Sequence, residues 1–112
     1  MEQGDIILMR FPFSNQTDYK IRPAVIVSKN AFNKKFDPWV CPVTSQKTEQ
    51  CIALENSLLE GNLKRESFAK TSAITIIDSG LFIKKIGKLN QAKIAEINEN
   101  LAKIRFEDKI AT

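Results

Sequence analysis

The chain contains no histidine. That removes the commonest general acid and base at neutral pH, and the commonest metal ligand with it. Cysteine is scarce: Cys41 and Cys51 are the two present, and neither has a partner at ligand spacing. Both are read as apolar fillers, and no metal or other cofactor is expected. Long apolar runs are missing as well. The longest, such as Ile6–Met9 and Ala24–Val27, span four residues, against the roughly 18 a membrane-crossing helix needs, so no membrane association is expected. The opening Met1–Asp5 is acidic where a secretory signal would be basic and then apolar. A cytoplasmic location with reduced thiols is the expectation.

What is present fits one domain over residues 1–112, large enough to bury about two-thirds of its unfolded surface. The four prolines (Pro12, Pro23, Pro38, Pro42) lie in the first half, and the clearest helical pattern lies at the far end. Strands first and helix last is therefore the predicted order, a mainly β fold with a C-terminal helix. Lysine and arginine number 17 against 13 acids, a net charge of +4 that favours an anionic partner.

Asp5–Phe11 reads as a strand ended by Pro12, and Ser14–Lys20 as a loop. The next strand is predicted to start at Pro23, and Ala24–Val27, apolar without alternation, fits a central strand covered on both faces. Asn30–Asp37 is a polar connection. Trp39–Thr44 follows as a strand in which Pro42 implies an edge or a bulge, with Thr44 at its end. Cys51–Leu54 and Ser67–Thr71 read as short strands, and Glu55–Glu66 as a loop. Ala73–Ile77 stays open between strand and helical turn, Ser79–Gly80 is a turn, and Leu81–Gly87 is the last strand. A helix is predicted over about residues 90–105: Asn90 as N-cap, Leu89 and Ile94 as a hydrophobic staple, and Ile94, Ile97, Leu101 and Ile104 as one apolar stripe facing a core or a dimer seam.

Two stretches offer chemistry: Lys20–Pro23 before the central strand and Val43–Gln46 at a strand exit. Antiparallel pairing can bring them to one rim. On sequence spacing alone, Arg22 reads first as a surface guanidinium ahead of a strand and Thr44-Ser45 as ordinary turn chemistry. If the rim binds a phosphodiester, Arg22 grips two oxygens with its planar fork and offsets the charge added at pentacoordinate phosphorus. The Thr44 hydroxyl then donates to the same oxygens, while Ser45 and Gln46 hold the backbone or a base edge. In RNA the neighbouring 2′-hydroxyl is a built-in nucleophile, so no metal is required. The proton acceptor is left open between Asp18, a water and a perturbed basic group. Aromatic residues lie among the basic ones, and Phe13 and Tyr19 are the candidates for stacking on single-stranded RNA, beside Lys20.

The blocks Gly4-Asp5-Ile6-Ile7, Arg10-Phe11-Pro12-Phe13-Ser14, Lys20-x-Arg22-Pro23 followed by Ala24–Ser28, Pro42–Gln46 and Ile86–Leu89 occur in an order that resembles the PemK/MazF family of toxins across nearly the whole chain. The resemblance implies an SH3-like barrel with a C-terminal helix, assembled as a homodimer with a groove for RNA. It implies the toxin of a toxin-antitoxin pair, cutting single-stranded messenger RNA at specific sequences into 2′,3′-cyclic phosphate and 5′-hydroxyl ends. Its partner would be a cognate antitoxin, with operator DNA reached only through that antitoxin. The family arginine falls on Arg22 and the family threonine on Thr44, the two catalytic candidates. Where many relatives have a Gly-Ser-Glu-Gln-like stretch this chain has Asn15–Tyr19, with Asp18 as a loose substitute for the glutamate. Where some carry Arg-x-Asp it has Lys70-Thr71-Ser72, which leaves Lys70 a phosphate-binding role. The same fold in the gyrase poison CcdB makes a non-enzymatic toxin the rival expectation, and a transcription-regulating binding module a third.

Overall fold

The apolar run Ala24–Val27 lies where a strand must be covered on both faces. It ends β2 (Tyr19–Ile26), which pairs antiparallel with β1 (Asp5–Pro12) on one side and β3 (Trp39–Thr44) on the other. One face of these strands joins a core of Ile6, Val25, Val27, Cys41 and Val43, and the opposite face joins Ile7, Met9, Ala24, Ile26 and Val40. Ile77, Leu81 and Phe82 cap the second face. The computed structural model describes residues 1–12 and 18–106; Phe13 and the predicted loop residues Ser14 to Thr17 lie outside them.

The remaining elements are a helical turn α1 (Asn30–Asn33), strands β4 (Cys51–Ala53), β5 (Leu58–Gly61), β6 (Phe68–Lys70), β7 (Thr75–Ile76) and β8 (Phe82–Leu89), and the helix α2 (Gln91–Phe106). The strand order is β4-β6-β3-β2-β1-β8-β5, with β7 on β3. Ile52 of β4 and Leu58 of β5, from opposite edges of that sheet, meet the same core as Ile94 and Ile97 of α2. The sheet therefore curls around one interior, and the helix closes it. At the start of α2, Asn90 Oδ1 accepts the Lys93 backbone N–H at 2.8 Å, and Leu89 and Ile94 are buried beside it, as the N-cap and staple pattern predicts. Ile94 and Ile97 enter the core, whereas Leu101 and Ile104 remain half-buried.

Four expectations need correction. β2 begins at Tyr19, not Pro23: Tyr19–Arg22 pair with Met9–Pro12, so hairpin hydrogen bonding holds exposed side chains in a strand that their polarity does not announce. β5 lies inside the predicted loop 55–66, because an edge strand whose one partner among the described residues is β8 carries no apolar alternation. The polar connection after β2 contains the turn α1. Pro42 marks neither an edge nor a bulge. β3 pairs with β7 through Trp39 and Val40 and with β6 through Val43 and Thr44, and Pro42 stands in the gap where a missing N–H breaks no rung. The open segment Ala73–Ile77 resolves into the end of a 3-10 turn (Thr71–Ala73) followed by β7.

Charged groups pin β1 to β8. Asp5 is buried, accepts the Glu2 N–H at 2.8 Å on Oδ2, and faces Lys85 at 3.4 Å and Lys88 at 3.9 Å with Oδ1. Among the described residues Oδ1 has no hydrogen-bond partner, so the two ammonium groups supply its compensation. Gly61 joins β5 to the loop beyond it at φ +79°, and a Cβ there would stand 2.1 Å from the Ile86 carbonyl oxygen, a place only glycine fills.

Ile97, 1% exposed, should on replacement by alanine cost roughly 2–5 kcal/mol of unfolding free energy, read from urea denaturation. Burial pushes the Cys41 thiol up to about 12. A thiol reagent at pH 8 should therefore leave Cys41 unmodified in the folded protein and label it once the chain is unfolded; modification of folded Cys41 at the rate of a free thiol would contradict this packing.

Candidate functional site

The β2–β3 ladder runs from Ile26 and Val40 to Ala24 and Pro42, and stops there. Continued by two residues, the same register would set Arg22 directly opposite Thr44. Instead the strands part after the Ala24–Pro42 pair: the next rung would join Pro23 to Val43, and Pro23 has no N–H to donate. A cleft of about 490 Å³ opens between them, and Arg22 and Thr44 line it together.

Alternation along β2 decides which side chains reach the cleft. Lys20 and Arg22 line it, whereas Tyr19 and Ile21 lie on the opposite face of the strand, both more than half exposed. Arg22 is exposed, and among the described residues no carboxylate stands within ion-pairing distance of it. Across the cleft the half-buried Thr44 accepts the Gln46 backbone N–H on Oγ1 at 3.1 Å. This is the turn chemistry expected of Thr-Ser, and it leaves the hydroxyl proton free for another acceptor. Ser45 and Gln46 line the same cleft.

The fold therefore brings together five of the predicted site residues: Lys20, Arg22, Thr44, Ser45 and Gln46. Others stand apart. Tyr19 points away, the exposed Asp18 is not on the lining, and Lys70 sits half-buried on β6 opposite Cys51. Phe13 is outside the described residues. Two basic residues were missed: Lys64 and Arg65, from the segment between β5 and β6, form the far wall with Leu63 and Ser67. Their signal in the sequence is a bare Lys-Arg pair in a glycine- and asparagine-bearing stretch, with no periodicity to aim it. Four cations and no carboxylate thus line the cleft among the described residues. Such a site favours an oxyanion, and its concave shape concentrates the field.

A larger cavity, about 640 Å³, lies elsewhere and is mostly apolar, lined by Phe32, Trp39, Ile74, Leu101, Ile104 and Phe106 among others. Phe32 stacks against Phe36 at 4.9 Å and meets Trp39 edge-on at 6.5 Å between ring centres. The cavity lining is mostly apolar, with Lys29 and Arg105 also on it, and suits an apolar partner.

Among solved structures, the fold is similar to the Mycobacterium tuberculosis toxin MazF-mt6, with a TM-score of 0.72 at 16% identity over 94% of this chain and 99% of that one. It is also similar to MazF from Deinococcus radiodurans (TM-score 0.71, 18% identity, 94% and 96% covered). A mycobacterial endoribonuclease solved with its cognate antitoxin matches with a TM-score of 0.70 at 14% identity, over 98% of this chain and 99% of that one. Comparison with curated sequences finds no match. At these identities the structures establish a shared fold. The family is established by the sequence itself: residues 2–105 match the PemK-like, MazF-like toxins of type II toxin-antitoxin systems, and the chain belongs to that family.

Proposed function

We propose that the chain is a toxin acting as a metal-independent, sequence-specific endoribonuclease on single-stranded messenger RNA. The observation that carries this reading is the meeting of Arg22 and Thr44 in one cationic cleft. The Arg22 guanidinium holds the scissile phosphate by two oxygens and offsets the charge of the pentacoordinate state. The Thr44 hydroxyl donates its free proton to a phosphate oxygen, and its position is kept by the Gln46 N–H. The 2′-oxygen attacks phosphorus as its proton passes to water, the P–O5′ bond breaks, and the 5′-oxygen takes a proton from solvent. The products are a 2′,3′-cyclic phosphate and a 5′-hydroxyl. Water is the acceptor because no carboxylate lines the cleft among the described residues, Asp18 included.

A cognate antitoxin follows from the family and from the complex in which a similar endoribonuclease was solved. Homodimerisation is supported by the apolar groove, whose Leu101, Ile104 and Phe106 extend the helix stripe past the core. Operator DNA would be met only through the antitoxin, and the cytoplasm is the location where messenger RNA is available.

Purified protein with RNA in excess chelator should yield cyclic-phosphate ends. Arg22→Ala and Thr44→Ala should each lower the rate about 10²–10³-fold without loss of folded protein. Arg22→Lys should fail to restore it, since an ammonium cannot make the two-oxygen grip. Intact RNA at high protein excess, with DNA gyrase inhibited instead, would transfer the assignment to the non-enzymatic toxin. Ile104→Asp, which carries a charge into the apolar groove, should shift a sedimenting dimer to monomer. A dimer unchanged by it would place the interface elsewhere.

A further inference from the structure

The cleft holding Arg22 and Thr44 is the middle of a longer groove. On one side Lys20 and Arg22 also border a shallower recess of about 290 Å³ with Phe11, Pro12 and Pro42. On the other side Leu63, Lys64, Arg65 and Ser67 form a wall shared with a third cleft of about 510 Å³. Three hollows thus adjoin, the middle one sharing a pair of cations with each of the other two. A linear polyanion fits such a path better than a compact phosphate ligand does.

The third cleft differs in chemistry from the middle one. Besides the shared cations it presents Asn56, Asn62, Glu55 and Glu66 above the apolar Leu54 and Leu58. Carboxylates make it a poor bed for a phosphate. Amides and carboxylates over an apolar floor suit the edge and face of a nucleobase. Asn56 is held at the tip of a tight turn, at φ +59° with the Ser57 N–H bonded to the Leu54 carbonyl at 3.2 Å, so its amide is presented from fixed backbone.

We propose that the Asn62–Ser67 segment and the turn at Asn56 form a nucleotide subsite next to the scissile position. Lys64 and Arg65 hold the neighbouring phosphate, and the third cleft takes the base attached to it. The proposal rests on the RNA-cleaving reading, and it assigns one flanking base of the cut sequence to residues 55–66. Phosphate contacts repeat along the strand and carry no sequence information, so it is the base in the third cleft that sets which bond faces Arg22 and Thr44.

The test uses a fluorescent single-stranded RNA of mixed sequence, 2′-O-methylated throughout so that it cannot be cut, together with unmodified RNA for mapping cut sites. Lys64→Gln/Arg65→Gln should raise the Kd roughly tenfold and lower the slope of log Kd against log salt by about 0.7 for each phosphate that is no longer neutralised. Lys84→Gln/Lys103→Gln removes the same charge outside these clefts and should leave both quantities unchanged. Asn56→Ala/Asn62→Ala should erase the base preference at one position flanking the cut. Equal effects from the two charge variants, or no effect of Lys64→Gln/Arg65→Gln, would overturn the subsite while leaving cleavage by the wild type intact. A wild type that binds the RNA with this dependence on Lys64 and Arg65 but cuts none would keep the subsite and refute the nuclease reading. A wild type that neither binds nor cuts refutes both.

Discussion

The parting of β2 and β3 beyond Ala24 and Pro42 is the constraint from which the site follows. Had the ladder continued, Arg22 and Thr44 would be ordinary cross-strand neighbours with paired backbones. Pro23, at the point of separation, withdraws the donor that a further rung with Val43 would need. Each strand then finds another partner: Tyr19–Arg22 stay on β1, and Thr44 pairs with Phe68 of β6. The edge of each strand away from the cleft is thus paired, and those hydrogen bonds hold the walls of the opening in place.

That arrangement also decides what could be read in advance. Ala24–Val27 is legible because burial on both faces demands continuous apolarity, and α2 because its cap, staple and stripe agree with one another. β5 and the first half of β2 are not. They are held by pairing to one neighbour, with every side chain but Leu58 in solvent, and pairing of that kind leaves little mark on the order of polar and apolar residues. The site divides in the same way. Arg22 and Thr44 stand in sequence blocks with a family likeness, whereas Lys64 and Arg65 reach the cleft only through the path of a loop. Tyr19 shows the limit of reasoning from neighbours in sequence: one residue from Lys20, it falls on the other face of the strand.

Belonging to a toxin family does not by itself choose between cutting RNA and binding a protein target, because one fold supports both. The cleft weighs on that choice. Its described lining holds four cations and no acid. Gathering like charges costs free energy in the absence of a ligand, and the cost is recovered when an oxyanion arrives. A surface evolved to bind an apolar or mixed protein face has no need to bear it. The same chain does carry an apolar surface, well separated from the cationic one.

The two surfaces meet through β3. Trp39, at its start, lines the apolar groove beside α2, and Thr44, at its end, lines the cationic cleft, about 17 Å apart at the rise of an extended strand. Between them Val40, Cys41 and Val43 are buried, so the strand is held along its length. A second tie joins the same regions. Thr71, fully buried, shares its hydroxyl proton between the Gln50 carbonyl at 2.8 Å and Asn100 Oδ1 of α2 at 2.6 Å, fastening the helix to the loop that follows Thr44. Both ties run through buried and hydrogen-bonded groups, so the spacing between the apolar groove and the cationic cleft is set by the packing of the fold itself.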